Sequence, residues 1–325
     1  MKTRVIIMNE QGVPAVMRQD TVVLGPPGDG EVLLRQTAIG LNYMDVYQRS
    51  GYYALDMPSG LGLEGAGVIE AVGEGVDDFK QGDRAAYGGS APGGYAQYRN
   101  MAAARLVKVP DSIGDEQAAA VMLKGMTVEY LLNRTYPVKA GEPVLFWAAA
   151  GGVGLIAGQW GKAIGARMIG VAGGAEKCAL ALAHGFEAVI DRNSEDVVAR
   201  VMELTDGAGV PVAYDSVGKA TFDQTMDCMA PRGMFVSFGT TSGSVPPVDA
   251  ADLQHRGSLY FCRPTLMTYT ASREDLVNSA AAVFAMIEKG AIEIEINQRY
   301  ALADIVQAHT DLEAGKTSGS TIITP

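Results

Sequence analysis

Residues 144–161 constrain this chain more than any other stretch. Val144-Leu145-Phe146-Trp147 is a short apolar run that reads as a buried strand, and a turn of alanines and glycines follows it. Apolar residues then recur at Val153, Ile156, Trp160 and Ile164, the spacing of one helical face. Strand, small-residue turn and helix together set a helix N-terminus against a pyrophosphate. The motif is Ala148-x-x-Gly151-x-x-Gly154, with alanine where the dinucleotide fingerprint usually begins with glycine. Many buried strand–helix turns are also glycine-rich, so the motif needs its context.

That context is an alternation of strands and helices. Strands are expected at Val144–Trp147, Arg167–Val171, Ala188–Ile190, Val210–Tyr214, Met234–Phe238 and Leu259–Phe261, with helices such as Glu176–His184 and Asp196–Leu204 between them. Such alternation implies a doubly wound parallel sheet, and the motif lies on its first strand–helix turn, where ligands bind in open sheets. Upstream of Asp115 the pattern is different. Residues 4–8, 22–24, 31–38, 60–72 and 105–109 read as strands, and glycines at 60, 62, 65 and 67 suit strong curvature. Asn42, Tyr43 and Asp45 are candidate caps for a short helix. After Pro264 a long helix, two strands and a shorter helix are expected.

The second strand of the alternating unit ends in Ala172-Gly173-Gly174-Ala175. An NAD site usually carries Asp or Glu there for the ribose 2′-hydroxyl. Two glycines leave room instead, Lys177 follows one turn on, and Arg192 stands just past the third strand. Room plus a cation favours a 2′-phosphate, hence NADPH. Glu176 takes the acidic role only if the strand boundary lies a few residues away.

Composition narrows the partners. The formal net charge is -11, which disfavours nucleic acid and anionic membrane as main partners. The three cysteines, Cys178, Cys228 and Cys262, are far apart and odd in number, which suits a reducing compartment. No stretch reads as a secretory signal or a bilayer span, and a cytoplasmic protein is expected.

Several segments, in order along almost the whole chain, resemble the zinc-free, zeta-crystallin-like quinone oxidoreductases of the medium-chain dehydrogenase/reductase superfamily. They include Gly40 to Gly51, Gly60 to Gly67, Gly82-Asp83-Arg84, Leu123 to Thr127, the 148–154 turn, Tyr214 to Gly218, Ser237-Phe238-Gly239 and Arg263-Pro264-Thr265. The resemblance implies a Rossmann doubly wound parallel sheet domain (residues 125–264) inserted into a GroES-like β-rich catalytic domain (residues 1–124 and 265–325). Carried over position by position, it sets Asn42, Tyr47 and Thr127 at the nicotinamide end, and Gly151, Gly152 and Val153 at the pyrophosphate. Gly173 and Lys177 fall by the 2′-phosphate, with Arg192 where close bacterial relatives usually have tyrosine. Ser216, Phe238, Gly239, Arg263 and Pro264 line the rest of the cofactor groove. It also implies a homodimer formed through the edge of the Rossmann sheet.

Zinc alcohol dehydrogenases of the same superfamily hold a catalytic metal with a cysteine and a histidine. This chain has Asn42 and Leu63 at those positions, and its histidines, His184, His255 and His309, are late and separate. A metal-free site is therefore expected. Without a Lewis acid, the substrate is one that delocalises charge, a quinone or a conjugated carbonyl. Asn42, Tyr47 and Tyr53 are the candidate donors to a developing oxyanion. Each tyrosine also reads as a site-lining aromatic with its hydroxyl satisfied by a neighbour, and quinone reduction can draw its proton from water. The leading expectation is an NADPH:quinone oxidoreductase. An NADPH-dependent alkenal or enone reductase and a non-catalytic NADPH-binding redox sensor remain open.

Overall fold

The computed structural model describes residues 1–325. In chain order, β1 (Lys2–Met8), β2 (Arg18–Val23) and β3 (Glu31–Gly40) lead to α1 (Tyr43–Ser50). Then come β4 (Ser59–Gly60), β5 (Glu64–Val72), β6 (Arg84–Gly88), β7 (Tyr98–Ala102), β8 (Val107–Lys108) and α2 (Asp115–Tyr130). The alternating stretch runs β9 (Pro143–Trp147), α3 (Gly152–Ala163), β10 (Arg167–Ala172), α4 (Ala175–Ala183), β11 (Ala188–Asp191) and α5 (Val197–Leu204). It continues with β12 (Val210–Asp215), α6 (Phe222–Asp227), β13 (Met229–Ser237), α7 (Ala250–His255), β14 (Tyr260–Cys262) and α8 (Leu266–Tyr269). The chain closes with α9 (Arg273–Glu288), β15 (Ile296–Ala301), α10 (Ile305–Glu313) and β16 (Ser320–Thr324).

Two compact units result. Unit 1 comprises residues 1–126, 270–288 and 294–325, and unit 2 comprises 127–269 and 289–293. Unit 1 is β-rich and mostly antiparallel. Its larger sheet has the order β15-β16-β3-β5-β6-β8, with β7 also on β3, and a three-stranded sheet has the order β2-β1-β4. Over residues 31–38 β3 alternates, burying Val32, Leu34, Gln36 and Ala38, the pattern of a strand with one face on the core. The glycine-rich β5 pairs with β3 through two register shifts, which bend the pair as the glycine spacing leads one to expect. The C-terminal β16 pairs antiparallel with β3 at Gly40 and Ile39.

Unit 2 is a six-stranded sheet of order β11-β10-β9-β12-β13-β14, with every pair parallel. The strands are near-continuous apolar runs because helices cover both faces. Leu145, Ile169, Val171, Ala213 and Phe235 form its core with Val197 and Val201 of α5 and Phe222 and Met226 of α6. Asp196 caps α5, its side chain accepting from Ala199 N at 3.0 Å. The strand order reverses at β9, so the crevice beyond the C-terminal ends of β9 and β12 is the topological switch point where such sheets bind ligands.

Candidate functional site

In unit 2 the nucleotide-side candidates stand at the C-terminal ends of the six strands. Gly151, Gly152 and Val153 follow β9. Gly173 and Lys177 follow β10, and Arg192 follows β11. Ser216 follows β12, Phe238 and Gly239 follow β13, and Arg263 and Pro264 follow β14. Thr127 is buried in α2, away from this row of strand ends in sequence.

The turn after β9 has the conformation of a dinucleotide fingerprint despite its alanine. Ala148 takes φ 56°, the left-handed region that the usual glycine adopts. Gly154 has no room for a side chain, because a Cβ there would lie 2.4 Å from Ala149 O and 2.5 Å from Ala148 O. Helix α3 therefore starts hard against the end of β9. Its N-cap, Gly151, offers no side-chain cap, so the first N–H groups of the helix are left for an anion.

The end of β10 is shaped for a second anion. A Cβ on Gly173 would lie 3.1 Å from Arg192 Nε and 3.3 Å from Nη2, so the missing side chain lets the guanidinium lie against this turn. Lys177 is half-buried in the first half of α4. Glu176 is exposed inside α4, so it does not stand at the strand end. The nearby acid is Asp191 at the end of β11, which sequence reading missed. Its Oδ1 accepts from Gly174 N at 2.8 Å and from Asn193 N at 3.0 Å. These two backbone bonds hold its carboxyl below the usual carboxylate range and tie it to the turn.

The turn after β12 is built on another carboxylate that was not anticipated. Asp215 is fully buried. Its Oδ1 accepts from Val217 N and Gly218 N at 2.6 and 3.0 Å, and its Oδ2 from the Thr221 and Thr225 hydroxyls at 2.6 and 2.9 Å. The readable signal was the Asp-x-x-Gly turn at residues 215–218. This network fixes Ser216. The next strand end is fixed to it by Phe238 N donating to Asp215 O at 2.8 Å. Arg263 Nη1 donates to Ser237 O at 2.8 Å, while Ser237 Oγ is buried with no partner.

In unit 1 the structure brings Asn42, Tyr47 and Tyr53 together around α1. Asn42 is the N-cap, and its N–H donates to Asp45 Oδ2 at 2.9 Å while its carbonyl accepts from Asp45 N at 3.0 Å. The expected cap is thus a pair. Tyr47 is a buried hub, its ring 5.1 Å from Tyr43, 5.2 Å from Tyr52 and 5.8 Å from Tyr53. Tyr52 and Tyr53 are exposed. The Asn42 side chain donates through Nδ2 to Glu64 Oε2 at 2.9 Å, and Lys124 Nζ reaches the same oxygen at 2.9 Å. Neither Glu64 nor Lys124 was singled out from sequence as a site residue, because a buried charge pair across 60 residues leaves no local periodic signal.

Behind α1 lies a second buried polar cluster. Tyr95 O–H donates to Asp45 Oδ2 at 2.7 Å and lies 3.1 Å from His309 Nε2. Burial, partly offset by Tyr95 and Asn42, pushes the Asp45 carboxyl up to about 7. Burial and the adjacent Arg49 push His309 down to about 3. Because the folded-state value of Asp45 lies above its unfolded value, its contribution to stability is present below about pH 4 and lost as pH rises through 7. His309 acts in the opposite direction, its contribution being lost as pH falls from its unfolded value towards 3. Relative to Asp45→Asn, the wild type should therefore lose roughly 1 kcal/mol of unfolding free energy per pH unit between about pH 4 and 7. Urea unfolding of both proteins across that range measures this, and parallel stability curves would refute it.

The thiols offer no reactive centre. Burial raises all three, Cys228 to about 12. The donors for zinc do not fit either. The resemblance places Asn42 and Leu63, an amide and an alkyl group, where zinc enzymes of the superfamily have ligands, and nowhere do three His, Cys, Asp or Glu side chains converge.

Comparison with known proteins agrees with this anatomy. Residues 28–111 match the family model described as alcohol dehydrogenase GroES-like domain, and residues 152–282 match that described as zinc-binding dehydrogenase. The chain is 51% identical to a quinone oxidoreductase of Pseudomonas aeruginosa over 315 residues, 97% of either chain. It is 37% identical to a 2-haloacrylate reductase of a Burkholderia species, over 98% of either chain. The crystal structure of Escherichia coli quinone oxidoreductase complexed with NADPH superposes with a TM-score of 0.97 at 44% identity, covering 99% of this chain and 100% of that one. Unit 2 is thus a Rossmann domain and unit 1 is GroES-like, and the chain belongs to the quinone oxidoreductase family of the medium-chain dehydrogenase/reductase superfamily.

Proposed function

We propose that this chain is an NADPH-dependent quinone oxidoreductase that works without a metal. The observation that carries the reading is the pairing of Gly173 with Arg192 at the end of β10, beside an uncapped α3. This arrangement suits a cofactor bearing both a pyrophosphate and a 2′-phosphate. Gly151, Gly152 and Val153 hold the pyrophosphate, and Gly173, Lys177 and Arg192 hold the 2′-phosphate. Ser216, Phe238, Gly239, Arg263 and Pro264 line the path between. Asn42, Tyr47 and Thr127 stand at the nicotinamide end.

NADPH, when bound, supplies the hydride. The residues of the chain supply placement. The tyrosines at 43, 47, 52 and 53 form an aromatic surface against which a planar conjugated acceptor packs. Asn42 and the tyrosine hydroxyls are the donors to the acceptor oxygen. Water delivers the proton, so no side chain is needed as acid. Tyr47→Phe and Tyr53→Phe should accordingly each keep turnover within about threefold of wild type, well short of the 10²–10⁴-fold typical of losing a general acid. A hundredfold drop in kcat for either would identify a proton donor.

The experiment that tests the main reading is a steady-state panel with NADPH and NADH against benzoquinone, naphthoquinone and simple enones. Rapid NADPH oxidation with quinones is the expected result. Turnover confined to enones would favour the second reading, a conjugated-carbonyl reductase, which the similarity to the 2-haloacrylate reductase supports. NADPH binding without turnover of any acceptor would favour a sensor.

The same reading makes the protein a cytoplasmic homodimer. No helix is long and apolar enough to cross a membrane. β14 is the edge of the six-stranded sheet, and its Tyr260 is 60% exposed. An open apolar edge of this kind is covered by pairing. Sedimentation at micromolar concentration should give a dimer, and Tyr260→Lys should weaken it.

A further inference from the structure

We infer that Glu64 is a positioning residue, whose carboxylate sets the amide orientation of Asn42 towards the nicotinamide end of NADPH, with Lys124 as its charge partner. This rests on the cofactor reading above. Glu64 opens β5 with its side chain 0% exposed, and Lys124 is 6% exposed. Three donors converge on the one carboxylate. Asn42 Nδ2 and Lys124 Nζ meet Oε2, each at 2.9 Å, and Leu123 N meets Oε1 at 2.6 Å. The backbone makes way for this group: a Cβ on Gly40 would lie 2.1 Å from Glu64 Oε2.

An asparagine amide has nearly the same shape in its two flipped orientations, and its partners decide between them. An ionised carboxylate only accepts, so Nδ2 must face Glu64 and Oδ1 must face the other way. The backbone of Asn42 is already fixed by Asp45. Glu64 then acts with the Asp45 N–H, which the Asn42 side chain meets in the capping box, to settle the remaining freedom of the residue, the flip of its amide. A glutamine in its place can present either an oxygen or a nitrogen, so it no longer imposes the orientation. Stability alone does not call for the charges, because a buried ion pair is commonly no more stabilising than an apolar pair of similar volume.

The test is a double-mutant cycle on NADPH affinity, read by quenching of the fluorescence of Trp147 and Trp160. Glu64→Gln should raise the NADPH dissociation constant about tenfold in the wild-type background. In an Asn42→Ala background the same change should have less than a twofold effect. Glu64→Gln with Lys124→Met, which removes both charges and leaves no lone buried ion, should fold with a Tm near wild type yet keep the tenfold loss. Unchanged affinity in Glu64→Gln overturns the inference. So does an effect undiminished by Asn42→Ala, or affinity that returns together with stability in the charge-free double variant. A wild-type protein that does not bind NADPH defeats the cofactor reading itself, and the inference with it. Wild-type binding without coupling between positions 42 and 64 defeats the inference alone.

Discussion

Removing both candidate phosphate-binding cations, Arg192 beside Gly173 and Lys177 of α4, by Lys177→Ala with Arg192→Ala, is expected to cut the preference for NADPH over NADH by two to three orders of magnitude. A hydrogen bond to a charged group contributes about 1.5–3 kcal/mol, so each lost phosphate contact is worth roughly tenfold to a hundredfold. In the proposed site the two cations share one ligand group, so their losses fall short of additive. The setting makes them matter more. The chain carries a net charge of -11, and local cations must hold a dianionic phosphate against that field. Asp191, at this corner, already has its Oδ1 engaged by Gly174 N and Asn193 N. kcat/KM for NADH should stay within about threefold of wild type, because NADH has no phosphate for either cation to meet. Equal losses for the two cofactors would show that this corner does not read the 2′-phosphate.

Gly154→Val should abolish measurable NADPH binding, with at least a hundredfold loss of affinity. The new Cβ would meet two backbone carbonyls, Ala148 O and Ala149 O, at 2.5 and 2.4 Å. Backbone oxygens cannot swing aside as a side chain can, so α3 must move off the end of β9. That displaces the N–H groups intended for the pyrophosphate. Overpacking of this kind also costs roughly 1–3 kcal/mol of stability. Gly151→Ala is the control. Its Cβ meets a single carbonyl at 3.2 Å, so it should fold as the wild type and lose less affinity. Titration of both variants with NADPH, alongside thermal unfolding, separates the two effects. A Gly154→Val protein that binds NADPH as the wild type does would remove the turn from the cofactor site.

The parallel unit was legible because each strand is a short apolar run and each helix carries its own period. The expected strand Val144–Trp147 is Pro143–Trp147, and the expected helix Glu176–His184 is Ala175–Ala183. In the β-rich unit the strands were legible but their partners were not. β3 pairs with β5, β7 and the distant β16, contacts that no local pattern encodes. The same division runs through the site. Glycine turns and flanking cations are local, and they could be read directly. Asp191, Asp215, Glu64 and Lys124 act through partners brought together by the fold, and so they could not.

The stretch at residues 144–161 by itself determined a strand, a turn of small residues and a helix, because backbone sterics and hydrophobic period are local properties. Through the family resemblance, Asn42 and Leu63 stand where the superfamily's zinc enzymes carry cysteine and histidine, and neither an amide nor an alkyl group supplies those donors. Only the tertiary structure decided that Ala148 takes the left-handed conformation of a glycine, and that Arg192 lies against Gly173. It alone decided that Asn42 is held by a buried carboxylate and its lysine. Those are long-range contacts, and their energies depend on burial and approach distances that exist only once the chain has folded.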